Sequence, residues 1–589
     1  MISEHNSSSR GRRIVAAFVR SPTALAVLVG FVAGVADVVF IESNLDGSRV
    51  IPYPAALTWT FIPLIWVTLC LSVASLFSIP VLRRHLTAAL AVSGPGLLLM
   101  SRFVPLLRRP MGLGVSAASA IIVAIVVLLV ACVWRFMPSN PAFEVRAIVL
   151  ALAGIAGLAW YSRMSVRLPG PTGNAIAGQK NIVLIFLDTV RYDDALQMSA
   201  VRDLATRAAV FDNAWAPASW TLPSHFGVLT GMDPWVVRFD GARSRFDPAG
   251  LTLAQVLGVH GYTTAGVFAN PLLRRGSGLA RGLQQAYVAE SCVLCASGVV
   301  HIIDRVYYHA GFLSPICDWF TAPEVTTRAV DFASHAQRPY FLAINYIDAH
   351  SPYYVESRCG EEGRASRMND ADISQLLETV YDKKPIAPPV AGRSREQYRA
   401  SIRCLDRSVS ALLASLEREP DAANTIVALI ADHGEQFGEH SMIGHGNSLY
   451  RQVLHVPMLL ALPGRPAEHV SDPVSISDLY PTLLQRVGIP GVGPGLLDAP
   501  RRPAVAFYRI FLQGLPPEPA FSIASSRYHL IAWKSGHEEL YAYRDDPEEL
   551  HPLQHWDDAE VGQLRHVLAE AAAREDSRAA EFNSLGYLQ

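Results

Sequence analysis

The sequence of 589 residues lacks an excess of basic charge. Its 50 Lys and Arg residues are balanced by 52 Asp and Glu residues, which gives a formal net charge of −2 at pH 7. Because proteins that bind nucleic acid present a basic surface, this balance argues against nucleic acid as a partner. The sequence also has no evident internal repeat, which argues against a repeat architecture. A chain of this length is expected to form at least two structural units.

Cysteine is scarce, with seven residues in the whole chain. Cys292 and Cys295 have the spacing of half a zinc site or of a redox pair, but no second Cys-x-x-Cys motif follows them. No strand-to-helix redox context surrounds them either. We therefore expect structural disulfides among Cys292, Cys295 and Cys317, which would place this part of the chain in an oxidising compartment.

Apolar residues concentrate in the first 165 positions, where five segments have the length of a membrane span. These segments are 23–41, 55–76, 86–102, 115–134 and 143–161. Arginines that precede the first segment favour a cytoplasmic amino terminus. Five spans then place the rest of the chain outside the cytoplasm, whereas four would place it inside. We expect five spans, and thus a multi-pass protein of the inner or plasma membrane with an extracytoplasmic domain.

From residue 179 onward, apolar runs typical of buried strands alternate with helical stretches. The strand-like runs are 181–187, 263–269, 341–347, 425–431 and 456–462. This alternation predicts an α/β domain with a mostly parallel sheet flanked by helices. Segments 522–533 and 539–543 instead predict antiparallel strands. The expected organisation is a transmembrane helical domain at 1–165, a linker at 166–178, the α/β domain at 179–485, and a small antiparallel subdomain with a terminal helix at 486–589.

Two of these runs end in carboxylates. Asp188 follows the first run, and Asp432 with His433 follows the run at 425–431. In an open parallel sheet, ligands bind outside the carboxyl ends of the strands. The sequence therefore predicts that these three residues converge on a metal site at one edge of the sheet.

Thr221 lies in the segment Ser219–His225, where Pro223 marks the first turn of a helix. A hydroxyl at that position faces free backbone N–H groups and the positive end of the helix dipole, which together stabilise an alkoxide and bind anions. Thr221 thus fits either of two roles, a nucleophile or a residue that only caps the helix.

These motifs occur in a recognisable order, which resembles the sulfatase-like branch of the alkaline phosphatase superfamily over about residues 179–545. The similarity is greatest to membrane-anchored members with an amino-terminal helical domain. It implies an alkaline-phosphatase-like fold, one bound divalent metal ion, and a nucleophile that itself binds the metal. The matching motifs are Asp188-Thr-Val-Arg191, Trp220–His225, Asp348-Ala-His350, Asp432-His-Gly-Glu435 and Gly444-His445-Gly446.

Carried over residue by residue, the resemblance implies metal ligation by Asp188, Asp432, His433 and Thr221, with Thr221 as the nucleophile. It also implies that His350 and His445 contact the substrate's anionic group or the leaving group. Coordination to a cation would lower the pKa of the alcohol and make it a usable nucleophile.

The sequence departs from the pattern of true sulfatases at the nucleophile and at two ligand positions. Those enzymes carry Cys or Ser within Cys/Ser-x-Pro-x-Arg and oxidise it to formylglycine, whereas this chain has Thr221-Leu-Pro223-Ser-His225. Threonine cannot form that aldehyde, and in this it resembles the phosphoethanolamine and phosphoglycerol transferases. Thr189 replaces the second carboxylate of the usual Asp pair, and His433 replaces an Asn. One imidazole among oxygen ligands favours Mn or Zn, with Mg or Ca possible.

The sequence thus predicts a metal-dependent hydrolase or transferase that acts on a phosphate ester or phosphodiester at the membrane surface. Its expected partners are the membrane and a phosphorylated or sulfated substrate, either a lipid head group or an envelope glycan. One alternative is a sulfuric ester hydrolase that works without formylglycine. Another is a catalytically silent scaffold of the same fold, against which the intact Asp188, Thr221, Asp432 and His433 argue. A transporter is disfavoured because the apolar segments contain almost no charge.

Overall fold

The computed structural model describes residues 166–167, 179–236, 250–273, 277–288, 321–351, 353, 386–489, 493–497, 503–508, 519–554, 556 and 558–584. They all belong to one compact unit, Ser165–Glu290 with Trp319–Gln589. The five apolar segments of membrane length, and Cys292, Cys295 and Cys317, lie outside the described residues. Within the described ranges, none of the helices combines the length and the apolar character that a membrane span needs. The domain boundaries stay a prediction.

The strands of the described residues are numbered in chain order. They are β1 (Val166–Arg167), β2 (Asn181–Leu187), β3 (Ala209–Phe211), β4 (Ala214–Trp215), β5 (Thr263–Phe268), β6 (Gln285–Val288), β7 (Tyr340–Tyr346), β8 (Thr425–Ile430), β9 (Gln436–Phe437), β10 (Ile443–Gly444), β11 (His455–Val456), β12 (Met458–Ala461), β13 (Glu468–Val470), β14 (Val474–Ser475), β15 (Ala504–Tyr508), β16 (Ala520–Ala524), β17 (His529–Trp533) and β18 (Glu538–Tyr541).

The α-helices of the same residues are numbered in the same way. They are α1 (Tyr192–Ala195), α2 (Ser199–Ala205), α3 (Thr221–Thr230), α4 (Leu253–Val259), α5 (Ala322–His335), α6 (Pro388–Glu417), α7 (Arg451–Leu454), α8 (Leu479–Arg486) and α9 (Ala559–Ser584).

A nine-stranded sheet in the order β1-β6-β5-β7-β2-β8-β12-β3-β13 forms the centre of the unit. The consecutive strands β6, β5, β7, β2 and β8 are all parallel. Every residue of β2 and of β7 is buried, as expected for strands that are covered on both faces. The predicted α/β fold with a mostly parallel central sheet is therefore confirmed.

The predicted strand at 456–462 is divided at Pro457. The residues before this proline form β11, which pairs with β4 in a separate small sheet, whereas β12 joins the central sheet. Proline has no backbone N–H group and interrupts a strand ladder. β12 also runs antiparallel to β8, so this side of the sheet is mixed.

A second sheet lies in the carboxyl-terminal part, where β15, β16, β17 and β18 are joined by antiparallel pairs. The strands predicted at 522–533 and 539–543 are therefore antiparallel, as expected. α9 packs on this sheet through a cluster of buried apolar side chains from the sheet and the helix. These include Phe521, Leu530, Leu540, Val561 and Leu564.

Candidate active site

The carboxyl ends of β2 and β8 bring two aspartates together. The strands are parallel neighbours in the register Phe186↔Ile430, so the residues that follow each strand emerge at the same edge. Asp188, Asp432 and His433 are all fully buried there. One potential ligand atom from each lies within 4.8 Å of the others. His433 Nε2 is 3.8 Å from Asp188 Oδ1 and 3.4 Å from Asp432 Oδ2.

The hydrogen bonds around this cluster leave one oxygen of each aspartate without a partner. Asp432 Oδ1 accepts bonds from the backbone N–H groups of Thr189 and His433, at 3.2 and 3.0 Å. Asp432 Oδ2 and Asp188 Oδ1 are buried and have no hydrogen-bond partner. A buried carboxylate oxygen is costly unless a donor or a cation compensates it. The residues present therefore fit a divalent cation.

The ring of His433 presents the acceptor nitrogen Nε2 to the same point. Its Nδ1 lies 3.0 Å from the carbonyl oxygen of Gly434 and donates to it, so Nε2 carries no hydrogen. Burial, and then the nearby charge of His445, hold the pKa of His433 well below its usual value. A neutral imidazole is the form that binds a metal.

Gly434 allows the chain to turn away from the site at close range. A Cβ atom at this position would lie 2.1 Å from the carbonyl oxygen of Gln452. Only glycine fits such an approach of two backbone segments. Backbone packing therefore requires glycine at position 434, whatever the chemistry of the site.

Thr221 is the first residue of α3, and its hydroxyl lies beside the predicted ligands. Its Oγ1 is 3.3 Å from His433 Nε2 and 3.3 Å from Asn270 Nδ2. The cap position belongs to Trp220, whose side chain makes no capping hydrogen bond. Thr221 is therefore one residue past the cap position, and its role as nucleophile stays a prediction.

His350 and His445 are neighbours, and the His445 ring lies next to the His433 ring. The His445 ring is 4.7 Å from the His350 ring and 4.4 Å from the His433 ring, measured between centroids. His445 Nδ1 donates to the buried Glu435 at 3.0 Å, which leaves Nε2 directed away from that carboxylate. Burial alone would lower the pKa of His445, but the charge and hydrogen bond of Glu435 outweigh it and raise the pKa. His445 can thus carry a proton into the site.

Four further polar residues complete the site, and sequence reasoning did not select them as functional. They are His225, Asn270, Asn345 and Glu435, all at most 2% exposed. Asn270 follows the apolar run at 263–269, so the rule that identified the aspartates could have found it. Asn345 is hidden within the buried strand β7, and its sequence context gives no comparable signal.

His225 packs between β2 and the start of α3. Its ring stacks on Phe186 with a centroid separation of 4.1 Å. Its Nδ1 is 3.0 Å from the Thr221 carbonyl oxygen and 3.3 Å from Asp432 Oδ2. The ring therefore braces the first turn of α3 against the exit of β8.

A buried arginine holds the loop that carries Glu435. Arg191 is 4% exposed, and its Nη1 donates to Glu439 at 2.6 Å and to the Glu435 carbonyl oxygen at 3.3 Å. Burial opposes its charge, but Asp193 and Glu439 outweigh burial and raise the pKa of Arg191. This fixed cation links the exit of β2 to the loop after β8.

Comparison with known proteins adds independent information. A family model described as Sulfatase matches residues 180–489. The uncharacterized sulfatase YidJ of Escherichia coli is 26% identical over 278 residues, which cover 42% of this chain and 54% of that protein. The human iduronate 2-sulfatase is 25% identical over 386 residues, 56% of this chain and 68% of the relative. The chain thus spans about half the length of the first relative.

Solved structures share the fold at low sequence identity. A 2-O GAG sulfatase is 17% identical with a TM-score of 0.52, covering 68% of this chain and 94% of that one. The phosphonate monoester hydrolase of Agrobacterium radiobacter has the same identity and TM-score, and 96% of its chain is covered. The same fold therefore occurs in proteins described as acting on sulfate esters and on phosphonate esters.

Proposed function

Because this chain belongs to the sulfatase family, we propose that it is a metal-dependent hydrolase or transferase of a phosphate ester or phosphodiester, with Thr221 as the nucleophile. The observation that supports this most strongly is the position of the Thr221 hydroxyl. It lies 3.3 Å from His433 Nε2, and that nitrogen lies 3.8 and 3.4 Å from two carboxylate oxygens that have no hydrogen-bond partner. The chain has threonine where a formylglycine precursor would be Cys or Ser, so a different nucleophile chemistry is needed.

Asp188, Asp432 and His433 would hold one divalent metal ion, with the Thr221 hydroxyl as a further ligand. Two carboxylates and one imidazole favour Mn or Zn over Ca. A bound cation would supply positive charge that stabilises negative charge on neighbouring oxygens.

The residues of the chain account for the bonds and protons of the reaction. Thr221 Oγ1 loses its proton to solvent and forms a bond to phosphorus, while the bond from phosphorus to the leaving oxygen breaks. His445 donates a proton to that leaving oxygen, and Glu435 keeps the imidazole charged and oriented. Water or a second alcohol then forms a bond to phosphorus and gives its proton to His445, while the bond from phosphorus to Thr221 Oγ1 breaks and that oxygen regains a proton from solvent. His350 lies near enough to His445 to contact the same anionic group.

Sulfate-ester hydrolysis is the second candidate, and the curated relatives favour it. Among them are proteins described as iduronate 2-sulfatase and choline-sulfatase. Phosphate and sulfate esters are both tetrahedral oxyanions, and the fold occurs with either chemistry. The threonine at position 221 is the feature that makes us prefer phosphate.

The substrate class and location follow from the expected membrane domain. We propose an extracytoplasmic site that faces the membrane surface and acts on a lipid head group or an envelope glycan. Cys404 in α6 is disulfide-bonded, which supports an oxidising compartment.

The proposal is tested with the full-length chain and its Thr221→Ala variant. Turnover of aryl phosphate monoesters, aryl phosphodiesters and aryl sulfates is measured with Mn, Zn, Mg or Ca. Metal-dependent turnover of a phosphate ester that is lost in Thr221→Ala supports the proposal. Turnover of the sulfate alone supports the second candidate. A wild-type chain that binds metal but turns over none of these esters would favour a catalytically silent scaffold.

A further inference from the structure

Asn270 connects the threonine hydroxyl to a carboxylate of the proposed metal site. It lies two residues beyond the end of β5 and is 2% exposed. Its Nδ2 is 2.7 Å from Asp188 Oδ2 and 3.3 Å from Thr221 Oγ1. A side-chain amide nitrogen carries two hydrogens. One hydrogen therefore points to each of these oxygens.

The orientation of this amide is fixed by its surroundings. The backbone N–H of Leu272 donates to Asn270 Oδ1 at 2.9 Å. The backbone N–H of Asn270 donates in turn to Asn345 Oδ1, also at 2.9 Å. Because a backbone N–H pairs only with an acceptor, both side-chain oxygens are assigned. Both NH₂ groups must then point toward the site.

Hydrogen bonds from the two amides make the two carboxylate oxygens of Asp188 different from each other. Asn345 Nδ2 lies 3.1 Å from Asp188 Oδ2, the same oxygen that accepts from Asn270. Asp188 Oδ1 has no hydrogen-bond partner and lies 3.8 Å from His433 Nε2. Hydrogen bonds to a ligating carboxylate fix its orientation. Only Oδ1 therefore remains available for a cation.

The second hydrogen of the Asn270 amide points at the oxygen that would attack the substrate. Thr221 Oγ1 gains negative charge as it loses its proton, and a donor held in place beforehand stabilises such charge. No rearrangement of Asn270 is needed at that moment, because Leu272 and Asn345 already fix it.

We propose that Asn270 is a catalytic residue of this site. Its amide stabilises the attacking oxygen of Thr221 and makes Asp188 a ligand through one oxygen. This inference rests on the proposed function, in which Thr221 is the nucleophile. Asn345 is a positioning residue, since it acts through Asp188 and through the backbone of Asn270.

The test uses three variants of the full-length chain. Asn270→Ala removes both donors, and Asn270→Asp keeps the size of the side chain but turns an acceptor toward Asp188. Asn213→Ala is the matched control, because Asn213 is 7% exposed and donates to the Ser471 carbonyl oxygen instead. Calorimetry measures the Kd for Mn²⁺, and an aryl phosphate ester that the wild type hydrolyses gives kcat and KM.

Both Asn270 variants lose the hydrogen bond to Asp188 Oδ2, and we expect Asn270→Ala, which adds no charge, to bind Mn²⁺ about 10- to 100-fold more weakly. At saturating Mn²⁺, we expect their kcat to fall about 10²- to 10³-fold with little change in KM. Asn213→Ala should match the wild type in Kd and kcat. Circular dichroism checks the fold of each variant. If Asn270→Ala does not fold, the test rests on Asn270→Asp.

Two results would overturn this inference and leave the proposed function in place. One is a folded Asn270→Asp variant with wild-type Kd and kcat. The other is an Asn270 variant that binds Mn²⁺ more weakly but keeps the wild-type kcat at saturating Mn²⁺. That result would show that Asn270 does not stabilise the attacking oxygen of Thr221. A wild-type chain that binds no Mn²⁺, Zn²⁺, Mg²⁺ or Ca²⁺ would instead overturn the proposed function, and this inference with it.

Discussion

Two histidines of the site have pKa values shifted in opposite directions because their immediate neighbours differ. Burial and the neighbouring His445 keep the pKa of His433 low, so its ring is neutral. His445 is also buried, but its bond to Glu435 raises its pKa. The lowered pKa of His433 favours the neutral form that binds a metal, and the raised pKa of His445 favours the protonated form that a proton donor needs.

Replacing His445 by alanine tests the proton donor. We expect hydrolysis of an alkyl phosphate ester to slow by about 10²- to 10⁴-fold, because an alkoxide needs a proton to depart. Hydrolysis of a nitrophenyl phosphate ester should slow much less, since nitrophenolate departs without a proton. The measurement is kcat for both esters in the wild type, in His445→Ala and in Glu435→Gln. Equal losses for the two leaving groups would contradict the assignment.

Gly434→Ala tests the close backbone approach next to His433. A methyl group there would clash with the Gln452 carbonyl oxygen, and we expect a loss of about 1–3 kcal/mol in the free energy of unfolding. Gly392→Ala in α6 is the control, since nothing lies within 4 Å of its added Cβ. That change should stabilise the helix by about 0.5–1 kcal/mol. Urea denaturation of both variants gives the comparison, and equal effects would refute the steric argument.

The extent to which single residues were predictable depends on where they stand relative to a strand end. Asp188, Asp432 and His433 follow long apolar runs, and the rule for parallel sheets predicted that they meet. Asn345 lies within such a run, where an isolated amide has no periodic signal. Its amide contacts Asp188, His225 and the backbone N–H of Asn270, which come from three distant parts of the chain, and only the folded sheet brings them together.

Helix α6 determines the geometry of the chain where it leaves β2. The Tyr398 hydroxyl accepts from the backbone N–H of Arg191 at 2.8 Å and donates to the Thr189 carbonyl oxygen at 2.9 Å. Thr189 has a positive φ of 62°, which is costly for a side chain branched at Cβ. One hydroxyl thus satisfies two buried backbone groups at a strained turn beside Asp188.

Tyr398→Phe is expected to lower the free energy of unfolding by about 1–3 kcal/mol, because two buried backbone groups lose their partner. Tyr528→Phe in the carboxyl-terminal part is the control, since Tyr528 is only half buried and bonds to Asp558 near the surface. Tyr528→Phe should lower the free energy of unfolding by no more than about 0.5 kcal/mol. Thermal or urea unfolding measures both. A Tyr398→Phe variant as stable as the control would show that the turn does not depend on α6.

At the level of elements, the sequence predicted the parallel core but not the antiparallel side of the sheet. The alternation of strands and helices specifies parallel neighbours, because each crossover returns the chain to the same edge. The apolar run at 456–462 does not indicate whether its strand runs parallel or antiparallel to the neighbouring strands. β12 pairs antiparallel with β8, and the chain between these two strands contains β9, β10, α7 and β11.

The molecule as a whole is expected to couple metal binding to stability. The paired buried carboxylates Asp188 and Asp432 repel each other, and a cation between them would stabilise the folded state. Mn²⁺ at about one hundred times its Kd should add about 2.7 kcal/mol to the free energy of unfolding. Melting temperatures in Mn²⁺ and in EDTA measure this gain. Asp432→Asn should lose most of it, and an unchanged gain in that variant would place the metal elsewhere.

The central claim is that Thr221 carries the transferred group, and a trapping experiment tests it most directly. The full-length chain is incubated with a phosphate ester labelled with ³²P, quenched in acid and digested. We predict label on the peptide that contains Thr221 in the wild type and none in Thr221→Ala. Undiminished turnover in Thr221→Ala, with no labelled peptide in either protein, would contradict the account.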